Sequence, residues 1–368
     1  MGGLASWAFW PMAGGWLCQH LWDHYAYTGD KEFLEKRAYP TMMGAAEFFL
    51  GFLVEDSEGY LSTAPSISPE NNFFVGDMAD IDQEMLLQIS ARNRMVNLQK
   101  ITTPVCKSST MDMTIIREIF ERCLQGAEIL GIKSDIHDRM AAALERLYPF
   151  QIGRHGQLQE WNEDFAECTP GMGHVSHMYG LYPGDIFTPE SRPELYEACR
   201  KSMMRRLNHG GHTSHWPGAW GMSLFARLKE SFICGTISHT VYSDLGANMM
   251  TAGSFQLDCI FGIGAGVAEI LLQSHAGYIE LLPALPPSWT SGRYAGLKTR
   301  GGFEVSCVWK DCKIVSAEVS SSLGGLCRIV ASGVLSISLD GEDLGAKPSD
   351  SGVIEFESQS GSTYSLLM

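Results

Sequence analysis

Three stretches of the 368-residue sequence hold residue types suited to acid–base chemistry. The first is Thr63-Ala64-Pro65-Ser66-Ile67-Ser68-Pro69-Glu70-Asn71-Asn72, a loop stiffened by prolines with Glu70 at its apex beside two amides. A carboxyl on a rigid loop over a pocket can serve as a general acid when burial raises its pKa. The alternative is a solvated loop carboxylate. The second stretch is Glu160-Trp161-Asn162-Glu163-Asp164, followed by His174-Val175-Ser176-His177 and its continuation to Gly184. Trp161 offers a flat apolar face of the kind on which the C–H face of a sugar packs. His174 and His177 stand three apart, a spacing that suits a metal on a helix, but no third ligand follows at a recognisable interval. The alternative is a capped turn with hydrogen-bonded histidines. The third stretch holds Asp258, the only carboxylate between Asp244 and Glu269, among apolar residues and ahead of Gly262, Gly264 and Gly266. A buried aspartate there needs a partner or a role. It either caps the helix that follows or serves as a second reactive carboxylate. Glu70 and Asp258 together give the pair of carboxylates that glycoside hydrolysis requires.

The elements that must position these residues are mostly helical. Between residues 16 and 274 apolar residues recur at helical spacing, with Gly, Pro and Ser in the gaps. Leu17, His20, Leu21, His24 and Tyr25 mark one helical face, ended by Gly29-Asp30. Further helices are expected over 41–54, 111–130, 134–148, 190–207, 219–227, 241–250 and 264–273, with a long loop over 57–80. Residues 92–108 show no periodicity, are basic in an acidic chain, and suggest no function. From residue 276 the pattern changes. Pro283, Pro286 and Pro287 forbid a helix, and runs of period two follow over 303–309, 314–319, 327–334 and 335–339. The expected fold is therefore mainly α: helix pairs forming a toroid over 1–275, then an antiparallel β-sandwich over 276–368, without catalytic residues.

Composition narrows the function classes. Hydrophobic residues make up 45% of the chain and charged residues 19%, enough for a large core and unlike a disordered chain. Forty-two acidic against 27 basic residues give a net charge of -15, which disfavours a phosphate backbone as partner. No apolar run is long enough to suggest a membrane span. The ten cysteines are dispersed, without a CxxC pair or a Cys/His cluster, and read as thiols. No basic segment followed by an apolar one opens the chain, so no secretory signal is read, and localisation stays open. Trp7, Phe9, Trp10 and Trp16 look like the interior of a folded domain, as if the chain began within something larger. Nucleophile-elbow, P-loop and HExxH motifs are missing from the sequence, and Gly262-Ile263-Gly264-Ala265-Gly266 lacks the context of a phosphate cradle.

Taken together, these stretches resemble glycoside hydrolase family 95, the inverting α-L-fucosidases. The matching pieces include residues 15–25, Thr28-Gly29-Asp30, Ala38-Tyr39-Pro40, Pro65-Ser66-Ile67-Ser68-Pro69-Glu70-Asn71, Met111-Asp112-Met113 and Gln159-Glu160-Trp161. Residues 174–184, Phe255-Gln256-Leu257-Asp258, residues 281–286 and residues 296–302 continue the match in the family's order. The resemblance implies an (α/α)6 barrel, incomplete in this chain, with a C-terminal β domain. It implies Glu70 as general acid and Asp258 as base, the latter acting on water through asparagine side chains. It also implies His174, Trp161, His20 and Trp16 as substrate contacts, a fucosylated glycan or polysaccharide as substrate, and no metal or organic cofactor. The family's asparagine pair lies upstream of the region where this chain begins. The chain also departs from the family pattern at Gly173, at 213–218 and at Cys259-Ile260. Two alternatives follow: a truncated, inactive relative that at most binds sugar, or an enzyme for α-L-galactosides. An open barrel would leave apolar helix faces exposed.

Overall fold

The computed structural model describes residues 8–75, 102–246 and 256–367. A helical region is followed by a β-sheet domain. By their internal contacts the residues divide into two units, one of 1–19 and 35–211, the other of 20–34 and 212–368.

In the first unit, the helices Tyr39–Phe52, Thr110–Leu130 and Asp135–Arg146 pack on one another. Ile115, Ile116, Ile119, Phe120 and Cys123 form the buried stripe of the longest of these. Ser109 caps its start by accepting from the Asp112 amide, and Gly131 closes it with φ of 69°. The helix Ala13–Thr28 buries Gly15, Cys18, Gln19 and Trp22, not the Leu17/His20/His24 face that its apolar spacing suggested. The reason is steric. A Cβ at Gly15 would stand 2.7 Å from the Phe49 ring and 2.8 Å from Ile115, so the small side is the one that approaches its neighbours. Leu17 is left exposed.

The second unit includes the helices His215–Arg227, Ser231–Ser243 and Leu257–Leu271. Two expectations shift here. The helix placed over 241–250 runs over Ser231–Ser243, because the stripe Cys234, Ile237, Ser238, Val241 begins earlier; residues 247–250 lie outside the described residues. The helix placed at 264–273 starts at Leu257, on the stripe Cys259, Ile263, Gly266, Ile270. Two of its glycines are packing residues. A Cβ at Gly266 would meet the Met222 Cβ at 2.7 Å, and one at Gly262 would meet Ala219 at 3.1 Å, so this helix lies close against His215–Arg227. Phe232 and Phe261 are 76% and 71% exposed.

The C-terminal strands form two sheets. The six-stranded sheet runs Glu342–Asp343, Ser336–Leu339, Thr363–Leu367, Lys313–Ser321, Phe303–Lys310, Gly292–Thr299. The four-stranded sheet runs Ile354–Ser358, Gly325–Val330, Ile279–Leu281, Leu272–Gln273. Alternate residues such as Val305, Cys307, Val319, Cys327, Ile329 and Ile354 fill one apolar core from both sheets. All pairings are antiparallel but one: Gly325–Val330 runs parallel to Ile279–Leu281, with Ile329 opposite Ile279.

The two glycine environments give opposite expectations. Gly266→Val should destabilise the protein by about 1–3 kcal/mol through overpacking against Met222. Gly264→Ala, where a Cβ meets nothing within 4 Å, should stabilise it by about 0.5–1 kcal/mol. Urea denaturation of both variants decides; equal effects would contradict the close helix approach.

Candidate active site

The Glu70 loop is held by two buried carboxylates. Thr63 and Ser66 hydroxyls donate to Asp112 Oδ2 at 3.0 and 2.7 Å. Farther along, the Ser68 hydroxyl donates to Glu160 Oε1 at 2.7 Å, and Asn71 Nδ2 donates to Glu160 Oε2 at 2.9 Å. The Ser176 hydroxyl donates to the Pro69 carbonyl. Short strand pairs add backbone restraint: Ser66 stands opposite Cys106, and Phe73 opposite Thr103. The partner strands come from 102–106, the tail of the segment that suggested no function; residues 92–101 lie outside the described residues.

Glu160 is neutralised by Arg206, whose Nη2 donates to Oε2 at 2.8 Å. Arg206 Nη1 donates to the carbonyls of Thr169 and Pro170 and pairs with Glu167 Oε1 at 3.2 Å. Burial pushes the Glu160 carboxyl up, against the opposing pull of Arg206, Ser68 and Asn71. Asp112 has hydroxyl donors and the Trp10 indole beside it, and no cation is among the groups that lower it; burial pushes its carboxyl from an ordinary 3.8 to about 6.

With its neighbours fixed, Glu70 itself projects outward. Its side chain is 43% exposed, and His174 Nε2 lies 3.7 Å from its Oε2. The structure thus brings Glu70 and His174 together. Ser176 and His177 lie in the helical turn Ser176–Gly180, and His177 Nδ1 is 3.6 Å from Glu160 Oε2. The His174/His177 pair is therefore split between two carboxylates, and among the described residues no cluster of three metal-binding side chains occurs.

Other expected contacts are placed differently. Trp161 is only 4% exposed and packs on Phe73 with ring centroids 5.0 Å apart, so no open face is left for a sugar. Its role as a direct platform is corrected on that ground: it supports the strand Phe73–Phe74 below the loop. A cavity of ≈ 20 Å³ beside Trp161, Glu160, His177 and Arg206 has room for about one water and not for a sugar ring. Trp16 is half-buried, edge-on to Trp10 at 5.7 Å and to Tyr179 at 5.4 Å. His20 is exposed in the second unit. Asp258, also in the second unit, is exposed in the first turn of Leu257–Leu271 and accepts from the Cys259 amide at 3.0 Å. The expectation of a buried Asp258 on a loop is thus corrected: helix geometry turns Cys259 inward and leaves Asp258 outward.

Sequence reading missed Asp112 and Arg206, and gave Glu160 no role. The available signal was the density of hydroxyl and amide side chains between 63 and 72, which need buried acceptors once the loop folds.

Comparison with known proteins places this geometry in context. Residues 1–271 match the model of the glycosyl hydrolase family 95 catalytic domain, and residues 273–366 that of the family's C-terminal domain. Alpha-L-fucosidase 2 of Arabidopsis thaliana is 37% identical over 349 residues, covering 90% of this chain and 38% of that protein. A protein described as "Probable alpha-fucosidase A" of Aspergillus niger is 27% identical, covering 85% of this chain and 39% of its own. The chain thus spans about two-fifths of the length of these curated relatives. Among solved structures, one described as "Putative kojibiose phosphorylase from human microbiome" shares the fold at a TM-score of 0.51 and 9% identity, covering 94% of this chain and 50% of that one.

The Asp112 environment fixes a pH dependence. A carboxyl whose pKa is higher in the folded than in the unfolded chain favours folding at low pH. That contribution is full below about pH 4 and lost as pH rises through about 6. Asp112→Asn should remove a slope worth about 3 kcal/mol over this window. Urea midpoints of both proteins at four pH values test it; parallel pH curves would assign the slope elsewhere.

Proposed function

We propose that this chain, which belongs to glycoside hydrolase family 95, carries acid–base machinery for hydrolysing terminal α-L-fucosides of glycans or polysaccharides. The observation that carries the reading is the Glu70 loop: its flanking residues are tied to buried groups while its carboxyl stands free beside His174.

In this reading Glu70 protonates the departing glycosidic oxygen. Asp258 acts as base toward the attacking water. Inversion needs carboxyl groups far enough apart to admit that water, about 6.5–9.5 Å in inverting enzymes generally. His174 contacts the sugar and shares the acid's proton environment. Trp16 and His20 are taken as further substrate contacts. The helical portion, residues 1–275, is read as part of an (α/α)6 barrel, and 276–368 as an accessory β domain without catalytic residues. The chemistry draws on the chain's own carboxyls, and no cofactor is invoked.

One observation favours a second reading, a relative that binds carbohydrate without turning it over. Asp258 is exposed and accepts from the amide of the very next residue.

The discriminating experiment follows product stereochemistry. The purified chain is incubated with an α-L-fucoside, and the anomer released first is identified by proton NMR. The expected product is β-L-fucose, with Glu70→Gln and Asp258→Asn each lowering the rate by at least about 100-fold. Release of α-L-fucose first would rule out inversion. Saturable sugar binding with no turnover in any of the three proteins would establish the second reading.

A further inference from the structure

We infer that Glu160 is a positioning residue for the acid, setting the Glu70 carboxyl through the residues on either side of it. The inference rests on the reading of Glu70 as general acid. Its evidence lies in how Glu160 distributes its two oxygens.

A buried ion pair that served only stability would need nothing beyond Arg206 and nearby donors. Glu160 instead accepts from Ser68, two residues before Glu70, through one oxygen, and from Asn71, one residue after it, through the other. The two contacts straddle the acid. The Asn71 amide also donates to the Ser68 carbonyl at 2.8 Å, closing a tight turn whose apex is Pro69-Glu70. The Pro69 carbonyl is taken by Ser176. Every backbone neighbour of Glu70 is thus fixed by a group outside the loop. The Glu160 end of the lever is itself immobile. Arg206 is 2% exposed and tied to two carbonyls and to Glu167, and the Glu160 backbone carbonyl accepts from the Thr110 amide at 3.1 Å. Among the described residues, the charged and titratable groups facing Glu160 include Arg206, Glu167, His177 and Cys106.

Geometry of this kind matters because a misplacement of about 1 Å can cost about 100-fold in rate. Asp112 holds the root of the loop, at Thr63 and Ser66, and not the turn that bears the acid. The two buried carboxylates therefore differ in function: one anchors the loop, the other aims it.

The test separates aiming from stability by changing the leaving group. An acid is needed for a poor leaving group and hardly for an activated one. The double variant Ser68→Ala with Asn71→Ala removes the straddling contacts, together with the Asn72 amide's bond to Asn71 Oδ1, and leaves the Arg206 bond to Glu160 in place. Glu160→Gln is the second variant. Both are assayed on phenyl and on 2,4-dinitrophenyl α-L-fucoside, with hydrogen exchange followed at residues 68–72 and in the Thr110–Leu130 helix. We expect kcat on the phenyl substrate to fall about 100-fold, kcat on the dinitrophenyl substrate to fall less than about threefold, and KM to hold within about threefold. Exchange at 68–72 should quicken while the helix stays protected. Equal loss on both substrates, or unchanged exchange at 68–72, overturns the inference. If the unmodified chain hydrolyses neither substrate, the reading of Glu70 as acid fails. Exchange alone then judges whether Glu160 orders the turn, and unchanged protection refutes that as well.

Discussion

The arrangement around the candidate acid depends on one buried ion pair, Glu160 with Arg206, both almost fully removed from water. Desolvating two charges costs several kcal/mol per ion, and their attraction offsets this only when the remaining hydrogen-bonding positions are filled. Here they are filled by Ser68, Asn71, Thr169, Pro170 and Glu167. The pair is therefore a node. Three separate stretches, around 68–71, 160–167 and 206, have to meet at it, and no two of them satisfy it alone. That requirement turns a flexible polar loop into a fixed one without covering it with apolar side chains.

Asp112 shows the contrasting solution. Its groups are hydroxyls and an indole in place of a cation, so the carboxyl bears the burial cost in its own pKa. A buried carboxyl is thus used twice with different neighbours. Burial pushes both carboxyls up; at Glu160 a guanidinium, a hydroxyl and an amide oppose it, at Asp112 hydroxyls and an indole alone.

Much of the fold was legible because its periodicities are strong. The helix read at 111–130 lies at Thr110–Leu130, and the strand read at 303–309 lies at Phe303–Lys310. Errors came where small residues set the buried face. Gly15 and Cys18 carry little hydrophobic signal, yet their side of the helix is the one that meets Phe49 and Ile115, while the apolar-looking Leu17 faces out. The glycines at 262 and 266 had the same effect. The parallel strand pair was hidden because pairing partner is not encoded in alternation. Glu70 and His174 stood out in the sequence because their loop chemistry is local, and the two side chains lie 3.7 Å apart. Arg206 and Asp112 did not stand out, because their meaning exists only after distant segments meet. Trp161 was misread because an aromatic residue looks the same in sequence whether it faces a sugar or another ring.

The span of the Glu160 contacts also has a temporal side. Ser68 lies 92 residues from Glu160, and Glu160 lies 46 from Arg206. During synthesis the loop leaves the ribosome long before its anchors exist. It can be tethered at its root once Asp112 has been made, but the turn bearing Glu70 waits for Glu160 and Ser176, and Glu160 waits for its counter-charge until residue 206 has emerged. Contacts of such separation are won late, after chain closure has been achieved by other means. Order at this turn is then a late product of folding, because it waits on segments far apart in the chain.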